Sequence, residues 1–167
     1  SRLGGLAILL GLMACGLGII VCYRNSIYSE IPYYFFGFFL SAIPVWLAGL
    51  TEDLTHKVGP TWRLVMATLS AFCLFSMLNV SVNRTDVWPI DVLLSWPGAS
   101  LCVTLLVVAG FTHSVNIVDG FHGLACGLVT ISLFGLSYMA WQVADTLLMQ
   151  MCLTNLAVIL GFFVFNW

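Results

Sequence analysis

Twelve charged residues divide this chain into six uncharged stretches, at positions 3–23, 31–51, 64–83, 92–118, 120–144 and 146–167. Each is long enough to cross a bilayer core, which takes about 20 residues as a helix. Only 7% of the residues are charged and 61% are hydrophobic, whereas a soluble domain carries roughly 25% charged residues. The expected fold is therefore all-α and integral to a membrane, a single transmembrane domain with spans near 6–22, 32–50, 64–80, 99–117, 124–141 and 147–166. Pro44 should kink the second span. The segment around Trp88, Pro89, Trp96 and Pro97 should be a loop lying in the interface.

The formal charge of −2 comes with no basic patch, which leaves nucleic-acid binding without a basis. Six cysteines stand singly in apolar runs and read as small buried hydrophobes. The chain starts at Ser1 without a methionine and ends on an apolar run, so it is expected to be a piece of a larger membrane protein.

Six crossings alternate the sides of the loops. The Arg2 end, the loop at 51–63 and the turn at Asp119 fall on one face, which the lysine and arginine count favours as cytoplasmic by three to two. Polar side chains gather at two places on that face. His113, Asn116 and Asp119 recur every three residues and project from one side if the fourth span stays helical that far, and Gly120 and Gly123 follow. An amide oxygen with a carboxylate suits Mg²⁺; the same residues also suit a polar helix end at the interface, Asp119 capping the next helix. The second place is Glu52 and Asp53, followed by His56, Lys57 and Arg63. Adjacent carboxylates can bind metal, or divide the roles of base and fixed charge; Asp53 and Lys57 also fit a surface pair. Together the two places suggest a site for a metal and a phosphorylated substrate beside the lipid.

The run NIVDGFHGLA resembles the N-x-x-D-G-x-x-G-L signature of the polyprenyl-phosphate N-acetylhexosamine-1-phosphate transferase superfamily, of the glycosyltransferase family 4 type. AGLTEDLTHKVGPTWRL resembles its acidic-pair loop, RLGGLAILLGL its early Gly-Gly segment, and GFFVFNW the helix end that precedes a further Asp-containing loop. The resemblance implies a ten-helix polytopic enzyme of the bacterial inner membrane, of which six helices are present, with its site on the cytoplasmic face. It would transfer an N-acetylhexosamine-1-phosphate from a UDP-sugar to a polyprenyl (undecaprenyl) phosphate, release UMP and so initiate a cell-envelope glycan. By the same resemblance Glu52, Asp53 and Asp119 are catalytic, Asn116 and Asp119 hold Mg²⁺ (replaceable by Mn²⁺), and Lys57, Arg63, Asn116 and His122 contact substrate or phosphate.

Two kinds of departure stand out. Glu52 replaces an aspartate common in the family, with a longer reach. His113 and His122 replace oxygen-donor residues, and a neutral imidazole is a poor Mg²⁺ ligand, so neither is given to the metal. The piece alone is expected to be inactive, and a homodimer is an assembly open to it. A polytopic transporter with a polar cytoplasmic-side site is the alternative reading, since broken helices and intramembrane polar groups also mark transport pathways.

Overall fold

The structure, a computed structural model, describes residues 4–23, 30–55, 59–118 and 123–166. Eight helices follow in order: α1 (Gly4–Tyr23), α2 (Ile31–Ser41), α3 (Ile43–Thr55), α4 (Pro60–Leu78), α5 (Trp88–Leu94), α6 (Pro97–Val118), α7 (Leu124–Gln142) and α8 (Thr146–Asn166). No strand occurs among the described residues. α1, α4, α6, α7 and α8 are each long and apolar enough to cross a membrane, and α2 with α3 forms a sixth span if the bent pair is taken as one. The large apolar side chains on these helices point outward: Leu106 is 74% and Ile131 is 76% exposed. Water would not tolerate such a surface, and lipid does. The chain is an all-α, multi-pass membrane protein.

Two compact units make up the chain. The first comprises Ser1–Phe36 and Val115–Trp167. Within it α7 and α8 form a hairpin, and α1 packs against α8. Its core is Ile19, Ile31 and Phe35, with Tyr23, Leu147 and Met151 around them. The Phe35 ring lies over Gly16, where a Cβ would come within 2.6 Å of it. The turn between α7 and α8 is held by Asp145, which caps α8 by accepting the Leu148 N–H at 2.9 Å.

The second unit is Gly37–Ser114. α2 and α3 meet at Ala42 with a bend of 42°, two residues before the proline that explains it. Pro44 falls in the first turn of α3, where its missing N–H is harmless, while its ring excludes a straight continuation of α2. The break leaves the first N–H groups of α3 without helical acceptors. Val45 N–H is satisfied from outside its helix, by Ser70 Oγ of α4 at 3.1 Å. Ala48 on α3 and Ala67, Ser70 and Ala71 on α4 are buried. Small residues of this kind let membrane helices approach closely.

Two expectations need correction. The polar stretch 51–63 is not a loop: α3 continues to Thr55 and α4 starts at Pro60, so Glu52, Asp53 and Arg63 stand on helices. Charge does not end a helix, and Gly59 with Pro60 marks only where α4 begins. The interfacial stretch between α4 and α6 is not all loop either, since Trp88–Leu94 is helical with Pro89 in its first turn. This connection is pinned to α6: Val82 N–H donates to Thr104 Oγ1 at 2.9 Å, and the Ser100 hydroxyl donates to the Val82 carbonyl at 3.0 Å or to Asn83 Oδ1 at 2.9 Å. Ser100 and Thr104 are buried polar residues, and each thereby has a partner.

Candidate active site

The acidic group of candidate residues lies in the second unit. Glu52 and Asp53 occupy the last turn of α3, and Arg63 the first turn of α4. The Arg63 guanidinium forms an ion pair with Glu52 Oε1 across the helix junction. Both side chains are half-buried, 29% and 30% exposed. Asp53 is half-buried too. Among the described residues its carboxylate has no hydrogen-bond or ion-pair partner. His56 and Lys57 lie outside the described residues.

The second group of candidate residues begins on α6, which stays helical to Val118. His113 and Asn116 are therefore one turn apart on the same side of that helix. Asn116 is exposed and His113 half-buried; His113 Nδ1 is buried and has no hydrogen-bond partner among the described residues. Asp119 and His122 lie outside the described residues, and Asn116 belongs to the first unit, apart from the unit of Glu52, Asp53 and Arg63. Chain re-entry is controlled by Gly123, which precedes α7 at φ +78. There the left-handed backbone favours glycine, and a Cβ would meet the Phe163 ring of α8 at 3.0 Å.

An amide with a carboxylate is the donor chemistry that a hard divalent cation takes, and of that pair Asn116 is among the described residues. Asn116 offers an amide oxygen in the last turn of α6, at the end of a helix whose partial negative charge favours a cation, and Asp119 would add a carboxylate. Among the described residues no group of three or more His, Cys, Asp and Glu side chains is placed to hold a metal.

The model of glycosyl transferase family 4 matches residues 35–167, four-fifths of the chain and all of both polar places. The chain belongs to glycosyl transferase family 4. Its curated relatives agree. A protein of Bacillus subtilis named probable undecaprenyl-phosphate N-acetylglucosaminyl 1-phosphate transferase is 26% identical over 99% of this chain and 44% of its own length. The phospho-N-acetylmuramoyl-pentapeptide-transferase of Streptococcus thermophilus is 30% identical over 72% of this chain and 37% of its own. That of Enterococcus hirae is 39% identical over a shorter part, 35% of this chain. The family 4 chain thus spans less than half the length of these relatives. No solved structure matches it significantly.

Reading the sequence missed Ser70 and the small residues beside it. Their signal was present: Arg63, Ala67 and Ser70 recur at helical spacing along α4.

Proposed function

We propose that this chain is part of a polyprenyl-phosphate sugar-1-phosphate transferase working at the cytoplasmic face of a bacterial inner membrane. The donor is a UDP-N-acetylhexosamine and the acceptor undecaprenyl phosphate or a similar polyprenyl phosphate. The observation that carries this reading is the family match across residues 35–167, which includes a carboxylate pair at the end of α3 and an amide at the end of α6. The names of all three relatives describe transfer of a phosphosugar group, which favours a transferase over a transporter.

In the reaction an oxygen of the lipid phosphate attacks the sugar-bearing β-phosphorus of the nucleotide sugar. A new P–O–P bond forms, the bond from that phosphorus to the bridging oxygen breaks, and UMP leaves with the electron pair. Little covalent work falls to the protein, so positioning and charge carry the catalysis. Asp53 orients the lipid phosphate and accepts any proton it still carries. Lys57 offsets phosphate charge, and His122 contacts the sugar nucleotide. Asn116 and Asp119 would hold Mg²⁺, or Mn²⁺ in its place, and the bound ion would supply charge neutralisation at the diphosphate.

The test uses the full-length protein in membranes, with UMP release followed from UDP-N-acetylglucosamine and undecaprenyl phosphate. Asp53→Asn and Asp119→Asn should each lower turnover by roughly 10²-fold or more, and Asp86→Asn, in the α4–α6 connection, should leave it nearly unchanged. Equal losses in all three variants would reject the site, and no UMP release with any UDP-N-acetylhexosamine would reject the activity.

A further inference from the structure

Arg63 was expected to meet a phosphate and Glu52 to take part in the chemistry, yet their side chains are joined to each other. We propose that Glu52 and Arg63 are a positioning pair that fixes the rotation of the last turn of α3, so that Asp53 alone of the two carboxylates is presented to the lipid phosphate. The proposal rests on the reading of Asp53 given above.

The register of the two helices supports it. Val45 N–H is bonded to Ser70 Oγ at one end, and Glu52 to Arg63 at the other. The two links are seven positions apart on α3 and seven apart on α4. Between them, three residues on from Val45 and three back from Ser70, stand the buried Ala48 and Ala67. Positions spaced by three and then four residues share one face of a helix. Val45, Ala48 and Glu52 thus line the face of α3 turned to α4, and Ser70, Ala67 and Arg63 the face of α4 turned back. The ion pair is the last rung of this seam.

Asp53 follows Glu52 by one residue and so projects about 100° away from the seam. It can face a substrate only in the direction that the seam leaves it. A helix end is the part most prone to fray, and α3 ends two residues later. With Glu52 tied to α4, that turn has one orientation; without the tie it is free to unwind, and Asp53 with it.

Placement against local preference supports the pair as well. The last turn of a helix disfavours an anion and the first turn disfavours a cation, yet Glu52 stands in the former and Arg63 in the latter. Neither residue suits its own helix. Each suits the other.

The test is made on the full-length protein in membranes. Glu52→Gln and Arg63→Gln should each lower kcat about tenfold or more while KM for both substrates stays within about threefold, because placement and not binding is lost. The charge-swapped double variant, Glu52→Arg with Arg63→Glu, rebuilds the pair and should recover kcat to within about threefold of wild type. A rise in KM for the UDP-sugar in Arg63→Gln with kcat retained would identify a phosphate contact and overturn the proposal. A swapped variant that unfolds at the wild-type temperature or above but is as slow as the single variants would overturn it too. Where the glutamine variants fail to fold, Arg63→Lys carries the test: a lowered kcat with KM unmoved supports the pair, and a raised KM overturns it. Asp53→Asn is measured alongside. If it stays active, the reading of Asp53 is at fault; if it is inactive while Glu52→Gln and Arg63→Gln are unimpaired, only the pair is.

Discussion

Ser70→Ala isolates how the broken span is held. The Val45 N–H belongs to the first turn of α3, has no helical acceptor, and donates to Ser70 Oγ at 3.1 Å. Ser70 is only 8% exposed, and the site is in a membrane-spanning unit where water is not at hand to replace the hydroxyl. Removing the acceptor therefore strands a buried donor, at a cost of about 1–3 kcal/mol. For a chain of this size each kcal/mol moves the unfolding temperature by about 2–4 °C, so a drop of about 2–12 °C is expected. Thermal unfolding in detergent, followed by loss of the monodisperse size-exclusion peak, measures it.

Two controls give the result its meaning. Ser76 lies on the same helix, but its exposed hydroxyl donates only to the Cys73 carbonyl of its own helix; Ser76→Ala should stay within about 0.5 kcal/mol of wild type. Pro44→Ala allows α2 and α3 to run on as one helix, in which Val45 N–H recovers an acceptor four residues back. In that background Ser70→Ala should cost much less, a coupling that a double-mutant cycle reads directly. Equal losses for Ser70→Ala and Ser76→Ala, or an undiminished loss in the Pro44→Ala background, would refute the account of the break.

Gly123→Ala places a side chain at φ +78 and against the Phe163 ring. A destabilisation of about 1–2 kcal/mol from the backbone alone is expected, together with reduced turnover, because Gly123 is four residues from Asp119 in the sequence; unchanged stability would show that the backbone there relaxes freely. Asp91 gives a pH dependence. Its carboxylate is held below the usual range, first by the Thr85 N–H at 2.6 Å and then by the Thr85 hydroxyl at 2.8 Å. A depressed carboxylate contributes stability above its unfolded value of 3.8 and loses it as the pH falls through the lower folded value. Hydrogen exchange across residues 80–95, corrected for intrinsic rates, should therefore show less protection at about pH 3 than at about pH 6. Asp91→Asn should remove most of that difference, and a difference unchanged in the variant would assign it elsewhere.

The membrane fold was legible because charge is costly in hydrocarbon and twelve charged residues leave six long gaps. The broken span was legible because Pro44 cannot lie inside a straight helix; its break at Ala42 was not, since the proline is accommodated in the first turn after the break. The ends of α3 and α4 were misread for a related reason. Glu52, Asp53 and Arg63 looked like loop residues because they are charged, but charge marks the membrane surface rather than the end of a helix. The helix α5, Trp88–Leu94, is only two turns long and too short to carry a periodicity. The glycosyl transferase family 4 signature was legible as a local string, whereas the joining of Glu52 to Arg63 was not. They are eleven positions apart with a helix junction between them, and no spacing rule within one helix links them.

Magnitudes decide what that ion pair is for. An anion in the last turn of α3 and a cation in the first turn of α4 are each disfavoured by about 0.3–1 kcal/mol. An ion pair exposed to the extent of this one returns about 0.2–1 kcal/mol. Together the two costs come to about 0.6–2 kcal/mol and exceed what the ion pair returns, so the pair adds nothing net to stability as it stands. Exchanging the residues keeps the attraction and turns both helix-end terms favourable. Glu52→Arg with Arg63→Glu should therefore unfold at a higher temperature than wild type, by about 1 kcal/mol or more in stability. If it does, the natural order of the charges is the less stable one. A chain that keeps the less stable order at the turn carrying Asp53 keeps it for where the carboxylates point, which is how local rules come to be broken at a working site. A swapped protein less stable than wild type would mean instead that the pair is built for packing and not for where Asp53 points.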